Sequence, residues 1–100
     1  MLKRIESGIF VSTRFLLTDD LMSWVRDAAS QLGLKGVVFE KGDGSVKIIA
    51  EGEEESLEEL KDEVEEADFS SHIENFYMNW GEPKGEFQDF YIEYGAHNYA

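Results

Sequence analysis

The run from Gly33 to Gly52 constrains the fold more tightly than any other part of this chain. Gly33 sits where a helix needs a left-handed residue to end. Val37, Val38 and Phe39 then make a short apolar strand, and Gly42-Asp43-Gly44 supplies a tight turn, because Asp-Gly tolerates the positive φ such hairpins require. Val46, Ile48 and Ala50 alternate as the inward residues of a returning strand, and Ala50-Glu51-Gly52 is an acidic lead into another helix. A helix end, a hairpin and a helix start so close together leave few folds open.

The flanks complete the pattern. Ile5, Ile9, Val11, Phe15 and Leu17 alternate with Glu6, Ser12 and Arg14, which predicts a half-buried strand over 5–17. Thr18-Asp19-Asp20 reads as a helix start, with Thr18 as cap and two carboxylates at the positive end of the dipole. Leu21, Val25, Ala28 and Leu32 form the apolar stripe of that helix, flanked by Trp24 and Ala29. Ser56 and Glu59 have capping-box spacing, and Leu57, Leu60, Val64 and Ala67 make a second stripe. His72 to Trp80 alternates again, with Phe76, Met78 and Trp80 on the more apolar side. Pro83 lies in a turn over 81–85, and residues 87–94 make a short last strand. The order is that of an α+β, ferredoxin-like βαββαβ sandwich with an extra fifth strand: an antiparallel sheet with two helices on one face and water on the other. One domain is expected over 1–94, with a flexible tail over 95–100.

Composition removes several functions. The net charge is −13, from 22 acids against 9 bases, and such a surface repels nucleic acid and anionic membrane. The absence of cysteine excludes a disulfide framework, a thiol nucleophile and a thiolate zinc site. No apolar run reaches the roughly 18 residues of a membrane helix, and Met1 to Arg4 does not open a signal peptide, so the cytoplasm is the expected location. Residues 51–68 hold eleven acids and one base, Lys61, which reads as the solvated side of the second helix. His72 and His97 do not pair as metal ligands, and no cofactor is expected.

From Gly33 to Tyr94 the chain resembles the acylphosphatase family. The similar elements are Gly-Leu-x-Gly at 33–36, Asp-Gly-Ser-Val at 43–46, Ala-Glu-Gly at 50–52, Trp80, Gly85-Glu86-Phe87 and Asp89-Phe90. The resemblance implies the same five-stranded ferredoxin-like fold and, as activity, hydrolysis of acyl phosphates. In that family a glycine-rich loop before the first helix cradles the phosphate, an arginine clamps it and an asparagine on the second strand orients the attacking water. Counting back from Gly33, the arginine position falls on Met22 and the asparagine position on Glu40. Met22 is no cation, Glu40 repels phosphate, and Asp19 and Asp20 put carboxylates where the substrate anion belongs.

The residues therefore predict a small acidic acylphosphatase-like protein without acylphosphatase activity, serving as a binding or regulatory module, its phosphate site filled by Thr18 with Asp19 or Asp20. The alternative is a divergent acylphosphatase in which Arg14 supplies the clamp after an insertion. If the outer face of the sheet carries Tyr77 and Tyr91, a protein partner or a homodimer fits that face better than RNA, given the charge. Nothing in the residues identifies the partner.

Overall fold

The computed structural model describes residues 1–11, 18–41 and 45–94. Five strands and two helices follow the expected order: β1 (Leu2–Val11), α1 (Thr18–Gln31), β2 (Lys35–Glu40), β3 (Ser45–Glu53), α2 (Glu54–Glu66), β4 (Ile73–Gly81) and β5 (Phe90–Glu93), with a 3₁₀ turn at Asp68–His72. The sheet order is β4-β1-β3-β2-β5. The first four strands pair antiparallel, whereas β5 runs parallel to β2, so the sheet is mixed. The chain leaves β4 at one edge and must cross the whole outer face to reach the other, which fixes that direction.

The helix-side face is built as the alternation requires. Ile5 and Ile9 of β1 lie opposite Ala50 and Val46 of β3, and Val38 lies opposite Ile48. These residues form the main core with Leu21, Val25, Ala28 and Ala29 of α1 and Leu57, Leu60 and Val64 of α2. Ser7 is the polar intruder in β1, and its hydroxyl donates to the Tyr77 carbonyl at 2.7 Å, which satisfies a group that burial would otherwise penalise. Gly33 ends the α1 region with φ of 75°, as its position predicts. Trp24 of α1 meets Phe69 of the 3₁₀ turn edge-on, centroids 4.9 Å apart.

Several boundaries differ from the sequence reading. β1 starts earlier, at Leu2, because Met1 and Leu2 extend the ladder opposite Glu53 and Glu54. Residues 12–17 of the expected strand, the Gly42-Asp43-Gly44 turn and the tail over 95–100 lie outside the described residues. α2 begins at Glu54 rather than after a Ser56 cap, since β3 runs straight into it and Glu53 takes the flanking position. β5 covers Phe90–Glu93 only; residues 87–89 belong to the crossing segment.

The largest correction concerns the outer face, which is not left to water. Val37, Phe39 and Ile49 are buried there in a second small cluster, covered by Phe87. β2 and β3 are thus apolar on both faces, which is why Val37-Val38-Phe39 and Ile48-Ile49-Ala50 read as continuous apolar runs. Leu60→Ala is expected to cost about 2 to 5 kcal/mol in urea unfolding, since Leu60 is buried where α2 docks; a change below about 0.5 kcal/mol would show that α2 is not packed on the sheet.

Candidate functional site

Two regions hold the residues with chemistry. The first is the start of α1. Asp19 and Asp20 are exposed in its first turn. There they complement the helix dipole and place negative charge at the end that would otherwise attract an anion. Met22, one turn in, is 2% exposed and packs in the main core. Its neighbours Leu21 and Val25 are equally enclosed, so this position faces the sheet rather than a ligand. Glu40 ends β2 opposite Val46 and is exposed. The structure therefore gathers Thr18, Asp19, Asp20 and Met22 at one helix start, and Glu40 at the end of a strand on which α1 packs. Arg14 lies outside the described residues.

The second region lies on the outer face and was not singled out from the sequence. The segment 82–89 crosses the sheet there and is held by one carboxylate. Glu51 accepts the Lys84 N–H through Oε2 at 2.8 Å and the Gly85 N–H through Oε1 at 3.0 Å. The same Oε2 accepts Nη1 of Arg4 at 2.8 Å, and Nη1 also donates to Glu86 Oε1 at 2.9 Å. Arg4 and Glu51 stand opposite each other in the β1–β3 ladder, and both are buried. The Arg4 guanidinium carbon sits 5.9 Å from the centre of the Phe87 ring. Arg4 Nε makes no hydrogen bond among the described residues; Glu6 Oε2 lies 3.7 Å from it.

Burial pushes the Glu51 carboxyl upward, but the Lys84 amide, the Arg4 guanidinium and the Gly85 amide outweigh it and hold the group below its ordinary value. Burial likewise opposes the charge on Arg4, and the hydrogen bonds it donates to Glu51 and Glu86 more than restore it. One guanidinium here faces three carboxylates, Glu6, Glu51 and Glu86. The group is a structural clasp and holds no spare positive charge for a phosphate. The sequence reading left Arg4 outside the first strand and took Glu51 as an acidic lead into the second helix, whereas both lie within strands, β1 and β3, where they face each other.

Tyr77 and Tyr91 lie on the outer face as expected, 39% and 38% exposed. Tyr77 is folded over Gly8, where any Cβ would strike its ring. Trp80, expected to face inward, is 45% exposed, because it stands at the end of an edge strand beyond the reach of α2's apolar stripe. Among the described residues, no helix is long and apolar enough to cross a membrane.

The sheet order, the two helices on one face and the parallel fifth strand define a ferredoxin-like α+β sandwich. The acylphosphatase family model matches residues 22–92, and the chain belongs to that family. It is 37% identical over 68 residues to the acylphosphatase of Caldanaerobacter subterraneus subsp. tengcongensis, covering 68% of this chain and 76% of that protein. It is 35% identical over 60 residues to the acylphosphatase of Mycolicibacterium vanbaalenii, covering 60% of this chain and 64%, under two thirds, of that protein. Among solved structures, the acylphosphatase of Bacillus subtilis superposes with a TM-score of 0.79 over 94% of this chain and all of its own, at 23% identity, a likeness of fold. The family match begins at Met22 and so leaves out β1, the segment after it and the first turn of α1.

Glu51 is ionised in the folded state to lower pH than in the unfolded chain, so its contribution is complete above the ordinary carboxyl range and fades as pH falls through the folded-state value. Glu51→Gln should cost about 3 kcal/mol at pH 7 in urea unfolding. The difference from the parent should shrink steadily below about pH 4. An equal cost at every pH would mean that the charge plays no part in holding the crossing segment.

Proposed function

We propose that this chain is an acylphosphatase-family domain that has kept the fold and given up the family's phosphate site, and that it acts by binding rather than by hydrolysis. The observation that carries this reading is Met22. At the position where the family's arginine falls, a neutral thioether side chain is sealed in the core, with no route to an anion. Two further features support it. Asp19 and Asp20 hold the positive end of α1, and Glu40 stands at the asparagine position, so three carboxylates replace the field an acyl phosphate needs. In this reading Asp19 or Asp20 takes the phosphate's place at the helix start.

A second reading has its own support. The curated relatives at 35% and 37% identity are named acylphosphatase, and those names favour a hydrolase. In that reading Arg14 clamps the phosphate from the segment between β1 and α1, outside the stretch that the family model matches. Hydrolysis would proceed by attack of water on the acyl phosphate with release of carboxylate and phosphate, the transition-state charge stabilised by one guanidinium.

Hydrolysis of benzoyl phosphate by the purified chain, with Arg14→Ala alongside, separates the two. The binding reading expects the rate of buffer alone from both proteins. Hydrolysis well above buffer that falls by about a hundredfold or more in Arg14→Ala would establish the second reading in its place.

A further inference from the structure

At the far end of β1 from its junction with α1, the end of β4 and the start of α2 enclose an open cleft of about 460 Å³. Its walls are Trp80, Gly81 and Glu82 from the sheet edge, Glu54 and Glu58 from α2, and Lys3. The indole of Trp80 is thus set among three carboxylates against one ammonium. None of those carboxylates has an ion-pair partner among the described residues. An aromatic face rimmed by carboxylates is the chemistry that recognises a cationic side chain, which gains from the ring quadrupole and the charges together.

The cleft lies at the end of an open strand. β4 is nine residues long and, among the described residues, pairs only with β1 and forms one edge of the sheet. Between Ile73 and Gly81 it carries a single charge, Glu74, and neither lysine nor proline, the devices that usually close an edge. Its outer row of N–H and C=O groups is a template for another strand. Phe76 and Met78, half-buried on the helix side, precede Trp80 on the same face. A strand added to β4 would place alternate side chains beside these three residues in turn.

We propose that β4 binds an extended peptide segment of another protein by strand addition, with apolar side chains beside Phe76 and Met78 and a lysine or arginine seated on Trp80 between Glu54, Glu58 and Glu82. The charge of the chain, −13, draws a basic partner and opposes a second copy of itself. This gives the binding reading a partner class, on a separate surface. Lys3 and Val11 are about 26 Å apart along β1. A protein that hydrolysed benzoyl phosphate would refute that reading and leave this surface standing.

The test uses an eight-residue peptide alternating valine and threonine, with lysine at the position that reaches Trp80, and follows peptide affinity and amide exchange over 73–81. Two control peptides are needed: one with glutamate for the lysine, and one N-methylated on alternate residues so that it cannot join the ladder. The lysine peptide should bind, slow exchange along β4 and weaken with salt, and both controls should fail. Trp80→Leu should weaken binding about fivefold. A combined Glu54→Gln, Glu58→Gln and Glu82→Gln variant should weaken it at least as much, and serves if Trp80→Leu does not fold. The proposal is overturned if the lysine peptide does not bind, if either control binds as well, or if neither variant alters affinity. It is also overturned if β4 becomes protected without peptide as the chain dimerises.

Discussion

The pair formed by Arg4 and Glu51 holds the outer half of this molecule together. β2 and β3 are apolar on both faces, so the sheet needs a cover on the side the helices do not reach. That cover is a single irregular segment, 82–89, with Phe87 as its apolar contact. An irregular segment has unpaired amides, and burying them is costly unless they find acceptors. Glu51 accepts two of them, and Arg4 balances the carboxylate and reaches on to Glu86. With the segment so fixed, the chain arrives at β2 with the Asp89 carbonyl accepting the Gly36 N–H at 2.9 Å, and β5 continues parallel to β2. The parallel fifth strand is thus a consequence of the clasp as much as of its own short apolar sequence.

The residues that build the core and those exposed at the start of α1 are largely different. The main core rests largely on Ile5, Ile9, Val46, Ile48, Leu57 and Leu60, outside α1, and the start of α1 contributes Leu21. Met22 adds to that core. An arginine there would have to bring its charge out of the apolar interior to reach an anion, so a methionine at this position favours stability over anion binding. Asp19 and Asp20 likewise favour the helix through its dipole and disfavour a phosphate at the same spot.

The elements were largely legible because they follow simple periods. The two-residue alternation of β1 and β3, the stripe Leu57-Leu60-Val64 and the glycine stop at Gly33 each reflect one local constraint, and each is present. What stayed hidden depended on residues far apart in the chain. Arg4 and Glu51, 47 positions apart, gave no sign of meeting. Phe87, expected in a strand, instead covers the outer face, since only the crossing of the sheet determines where it lands. Met22, three residues before Val25 and seven before Ala29, has the spacing of a second buried row beside Leu21-Val25-Ala28, because α1 is buried over a wider arc than one stripe. Trp80 shared the inward phase of β4, yet among the described residues no strand lies beyond β4 to complete the burial.

The central claim is that the start of α1 no longer accepts a phosphate. Titrating inorganic phosphate into the isotope-labelled chain and following the backbone amides of residues 18–22 tests it most directly. The account expects only small, unsaturable drifts, with sulfate and chloride giving the same response at equal ionic strength. Saturable shifts at those amides that phosphate alone produces would mean that the cradle still works, and would contradict the reading of a lost site.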